Sequence, residues 1–240
     1  MAGVKTGISG QINNNIVTDG LVFYIDPAYK ISYPGTGTTV TDITGNNNVT
    51  LSGTTFESAN NGIFNFDGND AMATSVSDYD FNLSEFSIGM WFRIQATNTG
   101  TWQNIAAKYL EAAFQWRVQT NNSLQAYIQK SDTNYVELLD TSINYNNGDW
   151  YNVYITYKNV ADSVKLYTNS VLKDTESAET LSMINTDGAL TFGCREIFES
   201  AGSYQKYMNG EIGPVQVYNR ALSAGEVLQN YQAQKERFGF

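Results

Sequence analysis

Polar and aromatic side chains that suit sugar recognition fall at alternate positions of one predicted hairpin. The segments 114–118 and 124–129 each alternate apolar and polar residues, and Asn121-Asn122-Ser123 between them is a turn signal. If the two strands pair, their outward residues form a single patch. Amide and guanidinium groups offer paired hydrogen bonds to hydroxyls, and a tyrosine ring offers an apolar platform. The outward residues are Gln115, Arg117, Gln119, Gln125, Tyr127 and Gln129.

A second strand could extend this patch. In the segment 86–94 apolar residues alternate with Ser87, Gly89, Trp91 and Arg93, so these four point outward. We expect Trp91 and Arg93 to adjoin the hairpin, and Trp91 to be a glycan-binding candidate with it. The alternative is an ordinary solvated sheet face, or a face that another subunit covers.

A short turn with two carboxylates and an amide is a candidate calcium site. Asp67, Asn69 and Asp70 cluster around Gly68. Calcium takes about six to eight oxygen ligands from carboxylates, amides and carbonyls, and needs no His or Cys. The alternative is structural, because an Asp ahead of a Gly commonly accepts hydrogen bonds from the amides of its own turn.

The composition excludes several kinds of catalytic site. The 240 residues include no His and one Cys, Cys194, which rules out a Ser-His-Asp triad, a Cys-His pair and a His-ligated zinc. Retaining glycosidases hold two carboxylates about 5 Å apart. The nearest pairs here, Glu176/Glu179 and Glu196/Glu199, are spaced by three in predicted loops. The sequence therefore predicts a protein that is not an enzyme. The net charge of −10 argues against nucleic acid or an anionic membrane as partner.

Strands must position most of these residues. Alternating or apolar runs recur along the chain with turn signals between them, which is typical of an antiparallel sandwich or barrel. We expect one domain at 19–240, preceded by an arm or tether at 1–18. Further strands are predicted at 21–25, 63–67, 150–157, 163–168, 189–193 and 213–218.

One helix is predicted near the end of the chain. Ser223 followed three residues later by Glu226 is a capping box. Val227, Leu228 and Tyr231 then fall on one face of a helix. We expect the helix to run to about residue 236 and to pack on the sandwich.

Several segments together resemble laminin-G-like, concanavalin A-like domains. The resemblance covers about residues 19–239 and implies an all-β, antiparallel concanavalin A-like jelly-roll sandwich with a short C-terminal helix, in which rim loops often bind calcium. One departure is Ser170, which follows Asn169 where the family usually has Gly. The matching segments are G-L-V-F-Y-I-D at 20–26, F-D-G-N-D at 66–70, F-S-I-G-M-W at 86–91, the hairpin at 150–169, N-G-E-I-G at 209–213 and V-Y-N-R-A-L-S-A-G-E at 217–226.

A narrower resemblance suggests a context. The short N-terminal arm, the S-Y-P-G-T-G loop at 32–37 and the R-F-G run at 237–239 are similar to laminin-G-like proteins of tailed-phage virions. The resemblance implies a non-enzymatic virion structural protein (capsid decoration, head fibre or tail-associated protein) that displays a lectin-like domain to host or environmental glycans. Its expected location is the virion, assembled in the host cytoplasm, and no signal peptide or membrane span is predicted.

The same resemblance implies the partners. These are other virion proteins, reached through the N-terminal arm or through the contacts of a homo-oligomer. The alternative is a bacterial lectin-like carbohydrate-binding module that is not part of a virion.

Overall fold

The structure, a computed structural model, describes residues 15–75, 85–95, 100–108, 114–131, 134–161, 163–177, 188–197 and 200–240. Within these ranges strands dominate, and one α-helix lies near the end of the chain. A 3₁₀ turn at Ala59–Asn61 precedes β5, and another at Lys235–Phe238 follows the helix. The strands and the helix are β1 (Leu21–Ile25), β2 (Thr39–Val40), β3 (Val49–Ser52), β4 (Thr55–Glu57), β5 (Ile63–Asp67), β6 (Ala71–Thr74), β7 (Glu85–Ile94), β8 (Gln103–Lys108), β9 (Phe114–Val118), β10 (Leu124–Ser131), β11 (Asn134–Asp140), β12 (Tyr151–Lys158), β13 (Val164–Thr168), β14 (Val171–Glu176), β15 (Thr191–Phe192), β16 (Arg195–Ile197), β17 (Ser200–Gln205), β18 (Asn209–Tyr218) and α1 (Ala224–Gln234).

Two antiparallel sheets form the sandwich. The first sheet has the order β14-β13-β12-β7-β18-β5-β4, with β1 also paired to β18. The second sheet has the order β11-β10-β9-β8-β15-β6-β3-β2, and β16 and β17 form a separate hairpin. The predicted all-β antiparallel jelly-roll sandwich with a short C-terminal helix is therefore confirmed.

The core lies between the two sheets, where the predicted alternation places it. Ile88, Met90 and Phe92 of β7 face Trp116 and Phe114 of β9 within one cluster of buried side chains. β7 buries every second residue in this cluster, because side chains along a strand alternate between its two faces. The residues in between therefore point to the outer faces of the sandwich, where the candidate site residues lie.

The C-terminal helix covers the outer face of the first sheet. Its N-terminus has both hydrogen bonds of the capping box between Ser223 and Glu226, as predicted. Val227 is buried and Tyr231 is half-buried, whereas Leu228 is exposed. Leu228 departs from the prediction because it is adjacent to Val227 in sequence and about 100° away around the helix.

Two hairpin turns use left-handed backbone. Asn122, between β9 and β10, has φ 68°. Asn169 and Ser170 form the two-residue connection of β13 and β14 with φ 49° and 64°, as a type I′ turn requires. Ser170 thus adopts the conformation for which the family usually has Gly.

The segments with the narrower resemblance stabilise the fold. Tyr33 is buried and its hydroxyl donates to the Gly37 carbonyl within the S-Y-P-G-T-G loop. Arg237 forms an ion pair with Asp26 (Nη1 to Oδ1, 2.7 Å), which ties the R-F-G run to the end of β1. Among the described residues, no helix is long and apolar enough to cross a bilayer.

Candidate functional site

The outer face of the second sheet brings most of the predicted patch together. In the pairing of β9 with β10, Arg117 lies opposite Gln125 and Gln115 lies opposite Tyr127. Gln129, further along β10, lies opposite Tyr135 of β11, and its side chain is outside the part of the chain that the structure describes. The register therefore places the predicted residues of both strands on one face.

A chain of hydrogen bonds links these side chains. The Nε of Arg117 donates to Oε1 of Gln125 at 2.6 Å, and Nε2 of Gln125 donates to the Tyr127 hydroxyl at 2.7 Å. The same Nε2 also donates to the carboxylate of Glu137, on β11. Burial and the nearby Glu137 charge raise the pKa of Tyr127 above its usual range, so its hydroxyl stays protonated at neutral pH.

Aromatic rings lie on top of this network. The Arg117 guanidinium is 3.8 Å from the centroid of the Trp102 ring and 5.0 Å from that of Tyr127. Tyr135 packs edge-on against Tyr127, with 5.0 Å between ring centroids. Trp102 and Tyr135 remain 37% and 49% exposed. We call the set Trp102, Arg117, Gln125, Tyr127, Tyr135 and Glu137 the aromatic patch.

The predicted polar residues are less accessible than expected. Gln115, Arg117 and Gln125 are buried, although they lie on the outer face. Trp102 lies over Arg117, and Arg195 of β16 donates to Oε1 of Gln115 at 3.3 Å. Arg117 and Gln125 contact the aromatic residues above them, whereas Gln115 bonds Asn104 and Arg195. The exposed parts of Trp102 and Tyr135 are the surface that a ligand can reach.

Trp91 does not adjoin the patch, so this part of the prediction is wrong. It points outward from β7 as expected, but β7 belongs to the first sheet, whose outer face is on the opposite side of the sandwich. The ring is 0% exposed and stacks on Phe238 with 4.2 Å between centroids. Its Nε1 donates to Oε1 of Gln234, at the end of α1. Arg93 lies on the same side and forms an ion pair with Glu211 at 2.5 Å.

A laminin-G family model, described as "Concanavalin A-like lectin/glucanases superfamily", matches residues 66–228. The matched segment is more than half of the chain and contains β7 to β18. The chain belongs to the concanavalin A-like lectin/glucanases superfamily. No curated protein sequence matches it.

Solved structures with this superfamily fold include toxin binding domains. The receptor-binding domain of botulinum neurotoxin C/D mosaic serotype has a TM-score of 0.70 and 16% identity, covering 91% of this chain and 52% of that chain. The serotype D ligand-binding domain in complex with N-acetylneuraminic acid has a TM-score of 0.68 and 15% identity, covering 90% and 51%. The binding domain of neurotoxin DC in complex with rat synaptotagmin II has a TM-score of 0.69 and 15% identity, covering 90% and 52%.

These similarities concern the fold. This superfamily domain spans about half of the length of each of those structures, at an identity at which only the architecture is shared. All three structures are described as binding domains, and their likeness to this chain is one of architecture.

The predicted calcium turn connects β5 and β6 of the superfamily fold. Oδ2 of Asp70 accepts from the Asp67 amide at 2.9 Å, and Oδ1 of Asp67 accepts from the Asn69 amide at 3.0 Å. Burial raises the pKa of Asp70 above its usual range. Both carboxylates thus bind amides of their own turn. No group of three or more acidic, His or Cys side chains that could hold a metal occurs in the described ranges. Calcium binding here stays a prediction.

Only one carboxylate of each pair considered for catalysis lies within the described residues. Glu196 is buried, and its two oxygens accept from the amides of Ala189 and Gly202 at 3.0 and 2.9 Å. Glu176 lies at the end of edge strand β14. Their sequence neighbours Glu179 and Glu199 lie outside the described residues.

Sequence reasoning missed part of the aromatic patch. β8 and β11 were not predicted, so Glu137 and Tyr135 were not assigned to a sheet face. The signal for β11 was present, since Tyr135, Glu137 and Leu139 alternate with Val136 and Leu138. Trp102 directly precedes β8, and no sequence pattern indicates that its ring folds back over Arg117.

Proposed function

We propose that this chain is a non-enzymatic glycan-binding display domain, and that the aromatic patch is its sugar site. The observation that carries the proposal is the exposed Trp102 ring, held against the Arg117 guanidinium at 3.8 Å. A sugar stacks its C–H face on such a ring and uses its hydroxyls for hydrogen bonds, as occurs in many small-molecule sites.

The arrangement of the patch supports this use. Trp102 and Tyr135 supply two partly exposed rings, and Glu137, which is half-buried, supplies a carboxylate acceptor next to them. The network beneath fixes Tyr127 and Arg117 before any ligand arrives. Because less side-chain freedom is then lost on binding, the site favours affinity from few contacts.

The proposal includes a place in a tailed-phage virion. The sequence segments at 32–37 and 237–239 are its main support. The fold adds a second argument, because residues 15–18 pack on the helix side of the sandwich: the Val17 amide donates to Oδ1 of Asn230 on α1. The aromatic patch is on the opposite sheet, so attachment through the N-terminal side, or through a homo-oligomer on that side, leaves the patch facing outward.

A glycan array tests the sugar site. We expect the full chain to bind a subset of glycans, and Tyr135→Ala to lose most of that signal, because it removes an exposed ring without opening the core. Tyr127→Ala, which removes the ring beside Arg117, should lose it as well. Phe240→Ala is the matched control, since Phe240 is also an exposed aromatic residue but lies on the helix side. A blank array for the wild-type chain, or full signal from Tyr135→Ala, contradicts the site.

Particle analysis tests the virion role separately. We expect the chain in purified phage particles at a stoichiometry set by capsid or tail symmetry, and a particle reconstruction should place its helix side toward the shell. A chain that binds glycans but is absent from particles would contradict the virion role and leave the sugar site intact.

A further inference from the structure

The aromatic patch continues into a groove at the edge of the sandwich. β11 and β14 are edge strands of the two sheets, and the Leu139 amide of β11 donates to Oδ2 of Asp174 on β14 at 2.7 Å. The groove beside this contact has a volume of about 510 Å³. Pockets that bind small molecules span roughly 300–1,000 Å³. We call it the edge groove, and its walls include Tyr135, Glu137, Leu139, Asp174 and Glu176.

Two residues belong both to the aromatic patch and to the edge groove. Tyr135 and Glu137 are two positions apart on β11, so their side chains lie on the same face of the strand. Tyr135 is 49% exposed and Glu137 is half-buried, so a ligand can reach both from solvent. A sugar that stacks on the Tyr135 ring therefore lies at the mouth of the edge groove, with its substituents beside the carboxylates of the groove.

The edge groove is acidic. Glu137, Asp174 and Glu176 contribute three carboxylates, and the described residues that line the groove include no Lys or Arg. The two β14 carboxylates project toward the second sheet, because the residues opposite them on β13, Leu166 and Val164, belong to the core. The three negative charges therefore face one space.

The bonds of these carboxylates within the protein are to neutral donors. Asp174 accepts from the amides of Leu139 and Thr175. Glu137 accepts from Nε2 of Gln125. No carboxylate of the edge groove forms an ion pair with a described residue. Because neutral donors leave the negative charge in place, the edge groove attracts a cationic group and repels an anionic one.

The opposite end of the aromatic patch has the opposite charge. The exposed Lys206 ammonium is 5.5 Å from the centroid of the Trp102 ring, and the buried Arg117 guanidinium is 3.8 Å from it. One strand separates β9, which carries Arg117, from β11, which carries Tyr135, so these two strands are about 10 Å apart. A cationic substituent of a bound glycan is therefore favoured at the Tyr135 end and disfavoured at the Trp102 end.

A protonated amine is the cationic group that an amino sugar carries. A primary ammonium offers three hydrogen-bond donors, and its bonds to a carboxylate are about twice as strong as bonds between neutral groups. An ammonium is also attracted to the face of a tyrosine ring. We propose, on the basis of the proposed sugar site, that the aromatic patch prefers glycans with a free amino group. The amine lies in the edge groove, and its sugar ring lies on Tyr135.

Two tetrasaccharides that differ only in this group test the preference. The full chain is titrated calorimetrically with a glucosamine tetramer and with the same tetramer fully N-acetylated, at a pH at which the amines are protonated. We expect the glucosamine tetramer to bind about tenfold more tightly, which is the effect of one charge-assisted hydrogen bond. In 1 M NaCl, where the Debye length is about 3 Å, the difference should shrink. Equal affinities at low salt, or no binding of the glucosamine tetramer, overturn the proposal.

Variants locate the preference in the edge groove. Glu176→Gln removes one carboxylate at an exposed position and should reduce the preference about threefold. The double variant Glu137→Gln, Glu176→Gln should abolish most of it. Glu236→Gln is the matched control, since it makes the same change at an exposed position on the helix side and should keep the full preference. A full preference in the double variant, or in Glu176→Gln if the double variant does not fold, overturns the proposal.

Tetralysine separates recognition of a sugar from attraction to any amine. It presents several amines without sugar rings, so it should bind more weakly than the glucosamine tetramer. Equal binding of the two would mean that the edge groove attracts amines without help from the Tyr135 ring, and would overturn the preference for amino sugars.

The outcome is separable from the proposed sugar site. Array binding that Tyr135→Ala abolishes, together with equal affinities for the two tetrasaccharides, keeps the sugar site and overturns only the amine preference. A blank array and no binding of either tetrasaccharide overturn both.

Discussion

The two outer faces of the sandwich have similar side chains, but the tryptophan on one face is buried and the tryptophan on the other is partly exposed. Each has a tryptophan at an outward strand position or directly beside one, and each has an arginine close to a tryptophan ring: Arg93 near Trp150 at 5.3 Å, and Arg117 on Trp102 at 3.8 Å. On the first sheet the C-terminal segment covers the aromatic cluster and Trp91 is fully buried. On the second sheet the Trp102 ring lies over Arg117 and is itself partly exposed.

This difference in burial separates a tryptophan that stabilises the fold from a tryptophan that a ligand can reach. Trp91 is stacked on Phe238 and Tyr231 and hydrogen-bonded to Gln234, so its contacts hold the helix on the sheet. Trp102 has the Arg117 guanidinium at 3.8 Å and the Lys206 ammonium at 5.5 Å from its ring centroid, and it stays 37% exposed. An aromatic residue on an outer face is thus structural where a later segment of the chain buries it, and it can be reached by a ligand where the described residues leave it exposed.

Trp91→Ala should have the largest effect on stability. Removing a fully buried tryptophan from a stack leaves a cavity and an unpaired Gln234 carbonyl, which costs about 3–5 kcal/mol. Chemical denaturation followed by circular dichroism measures the loss. A loss below about 1 kcal/mol would mean that the helix does not depend on this stack.

Glu226→Gln should have an intermediate and pH-dependent effect. The hydrogen bond from Arg220, together with the amide and hydroxyl of Ser223, lowers the pKa of Glu226 from 4.5 to about 2. A carboxyl whose pKa is lower in the folded state stabilises the fold above its unfolded pKa, and that contribution disappears as the pH falls from about 4.5 towards 2. At pH 7 the variant should lose about 1 kcal/mol, the usual size of a capping interaction.

Thermal melts of both proteins between pH 7 and pH 2.5 test this assignment. The gap between wild type and Glu226→Gln should narrow on the acid side. A gap that is constant with pH would show that the charge of Glu226 does not stabilise the helix N-terminus.

Trp102→Ala should have the smallest effect on stability. The ring is partly exposed and its main contact is a cation–π pair, which is worth about 0.5–1 kcal/mol at such sites. Denaturation under the conditions used for Trp91→Ala gives the comparison. A loss as large as that of Trp91→Ala would remove the distinction between the two faces.

The sequence predicts which face of a strand a side chain lies on, but not which outer-face residues are buried by distant parts of the chain. Alternation in 114–118 and 124–129, with Asn122 between them, was enough to predict the β9–β10 hairpin and the shared face of Arg117 and Gln125. The same rule correctly points Trp91 outward. Both results depend only on the two-residue period of a strand.

Which outer face is covered depends on contacts between distant parts of the chain. Trp91 and Gln234 are separated by 143 positions, and Gln115 and Arg195 by 80. No periodicity relates such residues, so the burial of Trp91 and of Gln115 could not be predicted from the sequence. The exposure of Trp102 was foreseeable from its loop position, but its stacking on Arg117 was not.

The most direct test of the binding claim is a calorimetric titration of the strongest array glycan into the wild-type chain and into Trp102→Ala. The aromatic patch predicts at least a tenfold weaker dissociation constant for Trp102→Ala, with little change in its stability. Equal dissociation constants for the two proteins would contradict a sugar site on this face.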